Sequence, residues 1–311
     1  MTIIPWITAK PAFDQSKDMP NLEGKVIFVT GGTNGLGKQA VLEFARHKPA
    51  QLWLAARNPT VAEQTIQEIR MEVPDAPIQY VQLDLASFAS IRSAFNTFQE
   101  KSKRLDILML NAGITAAPCG LTDDGYEIQF GTNYLGGVLL TKLLLPTLLA
   151  TTKKPSADTR VVFLGSEAAS MAPSEGILFD SLKTEIEKEG AWVKYGQSKL
   201  AVILYARELA RRNPELKVSA VHPGFVDTNW AESWKSSSFF LRALYPLMRM
   251  ASIGVEDGVR NQLWASVSPD VISGTYYVPV GQPGHKDGVL VNNALGARLW
   301  EWTEAELEGL H

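Results

Sequence analysis

Tyr195 and Lys199 are the residues of this sequence whose types and spacing most directly suggest chemistry. They lie four positions apart in a helix-like segment that continues to Arg211, so both side chains project from one helix face. A free tyrosine has a pKa of about 10 and is a poor base at neutral pH, unless a nearby cation stabilises its phenolate. Lys199 is such a cation, so the pair predicts a tyrosine that exchanges a proton. Taken alone, the spacing also fits ordinary helix packing and a solvated charge.

A glycine-rich segment, residues 30–37, follows the first predicted strand and opens directly into a helix. Its spacing, Gly-x3-Gly-x-Gly, differs from the plain Rossmann fingerprint but also permits a tight turn. Pyrophosphate can approach the backbone N–H groups there, and the positive end of the helix dipole favours phosphate. A glycine-rich turn without a ligand is the alternative. The segment predicts a dinucleotide site with contacts from Gly31, Thr33, Asn34, Gly35, Leu36 and Gly37.

Arg57 ends the second predicted strand, where an NAD enzyme would carry an acid for the ribose 2′-hydroxyl. A guanidinium offers bidentate donors to a 2′-phosphate, so NADP(H) is predicted in preference to NAD(H). A solvated surface arginine is the alternative. Asp84 ends the third predicted strand and could bind the adenine amino group, although a helix N-cap is almost equally compatible with its position.

The elements that must position these residues alternate along the chain. From Lys25 onward, short apolar or β-branched runs alternate with helix-like segments, which predicts an α/β fold with a parallel sheet. Without an internal repeat or linker, a single domain over residues 21–311 is expected after an N-terminal arm of residues 1–20, with a C-terminal extension from about residue 281. Strands are predicted at residues 25–30, 51–56, 78–83, 105–110, 160–165, 217–221 and 274–278.

Composition excludes several classes of protein. Among 311 residues, 45% are hydrophobic, enough for a sizeable core, and a net charge of -3 without long runs of like charge argues against nucleic-acid binding. Cys119 is the single cysteine, so no internal disulfide and no metal site are expected. The N-terminus lacks a signal-peptide pattern, and the apolar stretch Val138–Ala150 is interrupted by Lys142 and Pro146. No integral membrane span and a cytoplasmic location are therefore predicted.

The sequence resembles the short-chain dehydrogenase/reductase superfamily over nearly its whole length after residue 20. The resemblance rests on the glycine loop with Thr30 before it, on Asn111-Ala112-Gly113, Asn133 and Ser166, on the Tyr195/Lys199 pair, and on Pro223-Gly224. It implies a Rossmann-type doubly wound sheet of seven parallel strands in the order 3-2-1-4-5-6-7, with helices on both faces. It also implies four catalytic residues, Asn133, Ser166, Tyr195 and Lys199.

The same resemblance implies cofactor contacts beyond the glycine loop. These come from Asp84, Leu85, Asn111, Ala112, Gly113, Asn133, Tyr195, Lys199, Pro223, Gly224, Val226 and Thr228. The sequence is similar to the branch of retinol dehydrogenases and WW-domain oxidoreductases, and its C-terminal part to fungal members. One departure is Gly165 before Ser166, where relatives often carry two serines. The extended branch of epimerases and dehydratases is a weaker alternative, because its glycine spacing differs.

The resemblance implies an NADPH-dependent reductase, acting reversibly on a ketone, aldehyde or secondary alcohol. Ser166 and Tyr195 would bind the carbonyl oxygen, while Lys199 would lower the tyrosine pKa and bind the nicotinamide ribose. Asn133 would replenish the proton through water. A catalytically silent NADP(H)-binding regulatory or scaffolding protein is the alternative.

The aromatic insert at residues 229–251 falls where related enzymes place a substrate flap. It suggests a hydrophobic, aromatic or secondary-metabolite substrate, although contact with a partner or a membrane surface would fit equally well. A homodimer through the helices around Asn133 and Tyr195 is possible, unless the terminal extensions block that contact.

Overall fold

The computed structural model describes residues 13–226, 253–278, 280–285 and 288–310. Thr228, the aromatic insert 229–251 and most of the N-terminal arm lie outside these residues. Within the arm, Phe13 and Met19 are buried, and the side chain of Gln15 accepts a 3.0 Å hydrogen bond from Arg260.

Seven strands form one sheet in the order β3-β2-β1-β4-β5-β6-β7. Every pairing is parallel, which confirms the predicted doubly wound fold. The central strands are apolar along nearly their whole length because both faces of the sheet are covered by helices. Each strand lies within its predicted segment: β1 (Val26–Thr30), β2 (Gln51–Ala56), β3 (Ile78–Gln82), β4 (Ile107–Leu110), β5 (Arg160–Leu164), β6 (Lys217–Val221) and β7 (Thr275–Tyr277).

Helices cover the two faces of this sheet and bury two hydrophobic clusters. One cluster contains Phe28 and the other contains its neighbours Ile27 and Val29, as expected when side chains alternate along a strand. The α-helices are α1 (Gln15–Asp18), α2 (Gly35–Arg46), α3 (Pro59–Glu72), α4 (Phe88–Lys101), α5 (Ile128–Phe130), α6 (Gly136–Thr152), α7 (Ala191–Arg212), α8 (Val255–Gly258), α9 (Arg260–Val267) and α10 (Asn293–Glu306).

Helices α5 and α6 are joined by a π-helical turn, Gly131–Leu135, into one continuous apolar helix. Within the described parts of the chain, this is the one helix long and apolar enough to cross a membrane, with a mean hydropathy of 1.5. In its most apolar stretch, 67% of the residues are buried inside the protein. The helix therefore packs as part of the core, which agrees with the interruptions at Lys142 and Pro146.

The C-terminal helix α10 packs across α6 and α7. Trp300 stacks on Tyr205 at a ring-centroid distance of 5.0 Å and an interplanar angle of 9°, and the guanidinium of Arg212 lies 4.6 Å from the Trp300 ring. The hydroxyls of Tyr134 and Thr303 are 2.6 Å apart, and Lys142 pairs with Glu304 at 2.6 Å. This helix thus covers part of the surface where a homodimer was thought possible, and the homodimer stays a prediction.

We expect Trp300→Ala to lower the free energy of unfolding by about 2 kcal/mol, because a large half-buried ring and its stacking partner lose their contact. Chemical denaturation monitored by circular dichroism measures the change. Glu301→Ala is the matched control, since its side chain on the same helix is exposed and should change stability by less than about 0.5 kcal/mol. Equal effects of the two substitutions would contradict the packing role of Trp300.

Candidate active site

A cavity of about 920 Å³ opens at the carboxyl ends of the strands, beside the junction of β1 and β4 where the strand order reverses. This is the position where open α/β sheets bind ligands. Most of the predicted site residues line it, namely Gly31, Thr33, Asn34, Gly35, Leu36, Arg57, Asp84, Leu85, Asn111, Ala112, Gly113, Ser166, Tyr195, Lys199, Pro223, Gly224 and Val226. Gly37 and Asn133 lie outside the lining, and Thr228 lies outside the described residues.

The glycine loop is held closely against the strand ends. A Cβ at Gly37 would lie 2.1 Å from the carbonyl oxygen of Gly31, so only glycine permits this approach of the helix to the loop. Asn111 donates from Nδ2 to the carbonyl oxygens of Thr30 at 3.1 Å and Gly31 at 3.3 Å. The backbone N–H of Ala112 donates to Thr30 Oγ1 at 3.0 Å. Gly37 and Asn111 therefore shape the loop, while Gly31 and residues 33–36 face the cavity.

Arg57 and Asp84 both line the cavity, and their binding of a 2′-phosphate and an adenine stays a prediction. The Arg57 side chain is exposed on the cavity rim and makes no hydrogen bond or ion pair with any described residue. Asn58 is committed elsewhere, because its side chain caps α3. Asp84 Oδ1 accepts from Ala86 N at 2.9 Å. The N-cap of α4 is Ser87, so the alternative of Asp84 as a helix N-cap is wrong.

Ser166, Tyr195 and Lys199 converge at the other end of the cavity. The side chains of Ser166 and Thr115 lie beside the Tyr195 hydroxyl and act to lower its pKa. Lys199 Nζ lies 5.8 Å from the centroid of the Tyr195 ring and donates to the carbonyl oxygen of Leu164 at 2.7 Å. Three hydroxyls and an ammonium are thus gathered at this end of the cavity.

The electrostatics of the pair differ from the sequence-based expectation. Burial raises the pKa of Tyr195, and the nearby Thr115 and Ser166 side chains only oppose that rise. Burial also lowers the pKa of Lys199 to about 8. The expected net lowering of the tyrosine pKa by Lys199 is therefore not found in this structure, because desolvation of the phenolate outweighs the stabilising contacts.

Asn133 lies in the π-helical turn and clamps the chain after β4. Its Oδ1 accepts from Ile114 N at 2.7 Å, and its Nδ2 donates to Ile114 O and to Ser198 Oγ, both at 2.9 Å. A Cβ at Gly113 would lie 3.0 Å from Asn133 Oδ1 and 3.6 Å from Lys199 Nζ. The structure thus brings Asn133 to the lysine side of the site, and its part in a proton relay stays a prediction.

Five polar residues of the cavity lining were not predicted from the sequence: Thr115, Thr132, Glu167, Ser170 and His222. Thr115 and Glu167 follow recognised motifs by one or two positions, which is the only signal the sequence offers for them. His222 precedes Pro223, and burial lowers the pKa of its imidazole to about 4, so it is neutral at physiological pH. Its Nδ1 atom has no hydrogen-bond partner among the described residues.

Gly165 has a tertiary explanation. A Cβ at this position would lie 2.8 Å from Cε2 of Tyr276. β6 lies between β5 and β7, and the Tyr276 side chain reaches across it to Gly165. The Tyr276 ring therefore occupies the space that a second serine would fill. The departure noted in the sequence is therefore an adaptation to Tyr276, and Ser166 keeps its place beside Tyr195.

Comparisons with known proteins agree with this geometry. The sequence profile of the short chain dehydrogenase family matches residues 25–238. The chain is 36% identical over 308 residues to the short-chain dehydrogenase/reductase drtF of Aspergillus calidoustus, covering 93% of this chain and 95% of that protein. Its fold is similar to an uncharacterised protein from Mycobacterium paratuberculosis, with a TM-score of 0.72 and 28% identity over 94% of this chain and 96% of the other.

A more distant structure is also similar in fold. It is the L-sorbose reductase of Gluconobacter frateurii, complexed with NADPH and L-sorbose, with a TM-score of 0.66 and 17% identity over 85% of this chain and 98% of that one.

Proposed function

Because the chain belongs to the short-chain dehydrogenase family and is similar to its fungal members, we propose that this oxidoreductase is an NADPH-dependent reductase of ketones or aldehydes. The reaction is reversible, so the same site oxidises secondary alcohols. The observation that carries the proposal is the convergence of Ser166, Tyr195 and Lys199 in the cavity that the glycine loop also lines.

The cavity fits a phosphorylated dinucleotide. Gly31 in the loop and Gly35 at the start of α2 would hold the pyrophosphate, and Arg57, whose guanidinium has no partner among the described residues, would bind the 2′-phosphate. Asp84 has carboxylate capacity left for the adenine amino group, since only Oδ1 is engaged. When bound, NADPH supplies the hydride.

The protein residues bind and protonate the substrate. Ser166 and Tyr195 donate hydrogen bonds to the carbonyl oxygen, and Tyr195 transfers its proton as negative charge develops there. Lys199 stands beside the phenol and binds the ribose. Asn133 contacts Ile114 and Ser198 and so fixes the chain after β4. Water beside this segment would return a proton to Tyr195. A raised Tyr195 pKa keeps the phenol protonated, as an acid in the reducing direction requires.

Part of the cavity wall is apolar, and Glu167 also contributes to the lining. Ile128, Met171, Trp192 and Phe225 line the apolar part, which favours a hydrophobic or aromatic substrate body. A role in secondary metabolism agrees with the fungal relative, and a cytoplasmic location is part of the same proposal. No nucleic acid is among the proposed partners.

The proposal is tested with purified protein in two steps. NADPH binding is first measured by protein fluorescence, and a panel of aryl and long-chain alkyl ketones is then assayed by loss of NADPH absorbance. Binding followed by turnover supports a reductase. Tight NADPH binding with no turnover of any ketone, aldehyde or alcohol would favour the silent regulatory protein instead.

The two directions of the reaction should depend on pH with opposite sign. Alcohol oxidation needs the Tyr195 phenolate, so its kcat/KM should rise by up to about tenfold per pH unit below the tyrosine pKa. Ketone reduction needs the phenol and should not rise. Rates between about pH 6 and about pH 7 test this, since Lys199, with a pKa of about 8, is still largely protonated there. An oxidation rate independent of pH would contradict a tyrosine base.

A further inference from the structure

Glu167 places a carboxylate in the wall of the cavity, directly after Ser166 in the chain. It begins the 3-10 helix Glu167–Met171, and its side chain is 28% exposed, so it faces the cavity rather than the core. Within the described part of the chain its one ionisable partner is His285, at 3.1 Å, and no lysine or arginine neutralises it. The active site therefore contains an acidic group that the proposed hydride and proton transfers do not use.

Two aromatic residues from the far edge of the sheet hold this carboxylate. Tyr276 donates its hydroxyl proton to Glu167 Oε1 at 3.0 Å, and His285 Nε2 lies 3.2 Å from Oε1 and 3.1 Å from Oε2. The His285 ring stacks on Tyr276 at 6.4 Å with an interplanar angle of 12°. Burial and the adjacent Glu167 raise the pKa of Tyr276, so this phenol remains a donor. The carboxylate is thus fixed in direction before any ligand arrives.

Acceptor capacity remains on Glu167 after these contacts. An ionised carboxylate offers about four lone-pair positions, and Tyr276 and His285 use two or three of them. Glu167 lines the same cavity as Ser166 and Tyr195, and the Tyr276 ring that binds it also packs against Gly165, the residue before Ser166. This places the carboxylate near the reacting centre. A substrate whose carbonyl oxygen contacts Ser166 and Tyr195 therefore brings its neighbouring atoms toward Glu167.

We infer that Glu167 selects the substrate by accepting a hydrogen bond from a hydroxyl group on the carbon next to the reacting carbonyl. This inference rests on the proposed reductase function and refines its substrate to a hydroxy ketone with an apolar body. A charged acceptor in a partly desolvated site favours such a donor and repels a carboxylate at the same position. Keto acids are therefore excluded, and Tyr276 and His285 act as positioning residues.

Three phenyl ketones that differ only beside the carbonyl test the inference. They carry a CH2OH, a CH3 or a COO⁻ group, and kcat/KM is measured for each with NADPH. Ratios of these values within one enzyme are compared between wild type and Glu167→Gln, which cancels the intrinsic reactivities of the ketones. We expect the substitution to reduce the ratio of hydroxy ketone to keto acid by about tenfold or more. Gln preserves an acceptor for Tyr276.

Glu175→Gln is the matched control, because this carboxylate lies on the exposed surface outside the cavity and should leave the ratio unchanged. Tyr276→Phe provides a second test of the role of Glu167 if Glu167→Gln is poorly folded. It keeps the negative charge but releases the carboxylate, so the preference for hydroxy ketone over methyl ketone should fall severalfold while keto acids stay excluded.

An unchanged ratio in an active Glu167→Gln enzyme would overturn the role of Glu167 and leave the reductase proposal standing. A wild type that binds NADPH but reduces none of the ketones would overturn both. A weakened NADPH Kd with unchanged ratios would assign Glu167 to the cofactor, which also contradicts the inference.

Discussion

Replacing Tyr195 by phenylalanine is expected to reduce ketone turnover on the order of a hundredfold or more, with NADPH binding retained. The substitution removes one oxygen from a site where the side chains of Ser166 and Thr115 lie beside that oxygen. Without it, the developing alkoxide loses both its proton donor and one of its hydrogen bonds, whereas the glycine loop and Arg57 are untouched. Steady-state kcat and the fluorescence-derived Kd for NADPH measure the two effects separately.

Tyr205→Phe is the matched control for this substitution. Tyr205 lies on the same helix, α7, is fully buried, and its hydroxyl has no hydrogen-bond partner among the described residues. Removing that hydroxyl should leave turnover near the wild-type value. Near-normal turnover by Tyr195→Phe, or an equal loss in both variants, would show that Tyr195 is not the acid.

Replacing Arg57 by alanine should weaken the binding of NADPH much more than the binding of NADH. We expect the Kd for NADPH to rise about 10- to 100-fold, because a bidentate contact between guanidinium and phosphate is lost. The Kd for NADH should change little, since NADH lacks the 2′-phosphate. Arg57→Lys should give an intermediate value, because an ammonium keeps the charge without the planar pair of donors.

Arg92→Ala is the control for Arg57, because Arg92 is an exposed arginine on α4 that does not line the cavity. Binding of both dinucleotides should be unaffected by it. If Arg57→Ala weakened NADPH and NADH equally, Arg57 would shape the loop rather than recognise the phosphate. If it weakened neither, it would be the solvated surface arginine that the sequence left as an alternative.

The local pattern of residue types was sufficient to predict the strands of the sheet and much of the candidate site. Strand segments are short apolar runs and the helix α2 has an apolar face, and both properties depend on residues close together in the chain. Tyr195 and Lys199 are also local, because four residues make slightly more than one helical turn. The order of the strands then came with the family resemblance, and the structure confirms it.

The remaining features depend on contacts between distant residues. Tyr276 and His285 contact Glu167 across sequence separations of 109 and 118 residues. The residues that surround them in the sequence do not indicate which distant side chain they will contact. The glycine at position 165 is likewise explained only by the Tyr276 ring above it.

Residue types and their spacing therefore predicted the strands and helices of this protein, and the family resemblance added the strand order, which the structure confirms. The catalytic role of Tyr195 and Lys199 stays a prediction. Packing decided the direction of the Tyr195 pKa shift and the surroundings of Glu167, because desolvation and charge coupling depend on distances that exist only once the sheet is assembled.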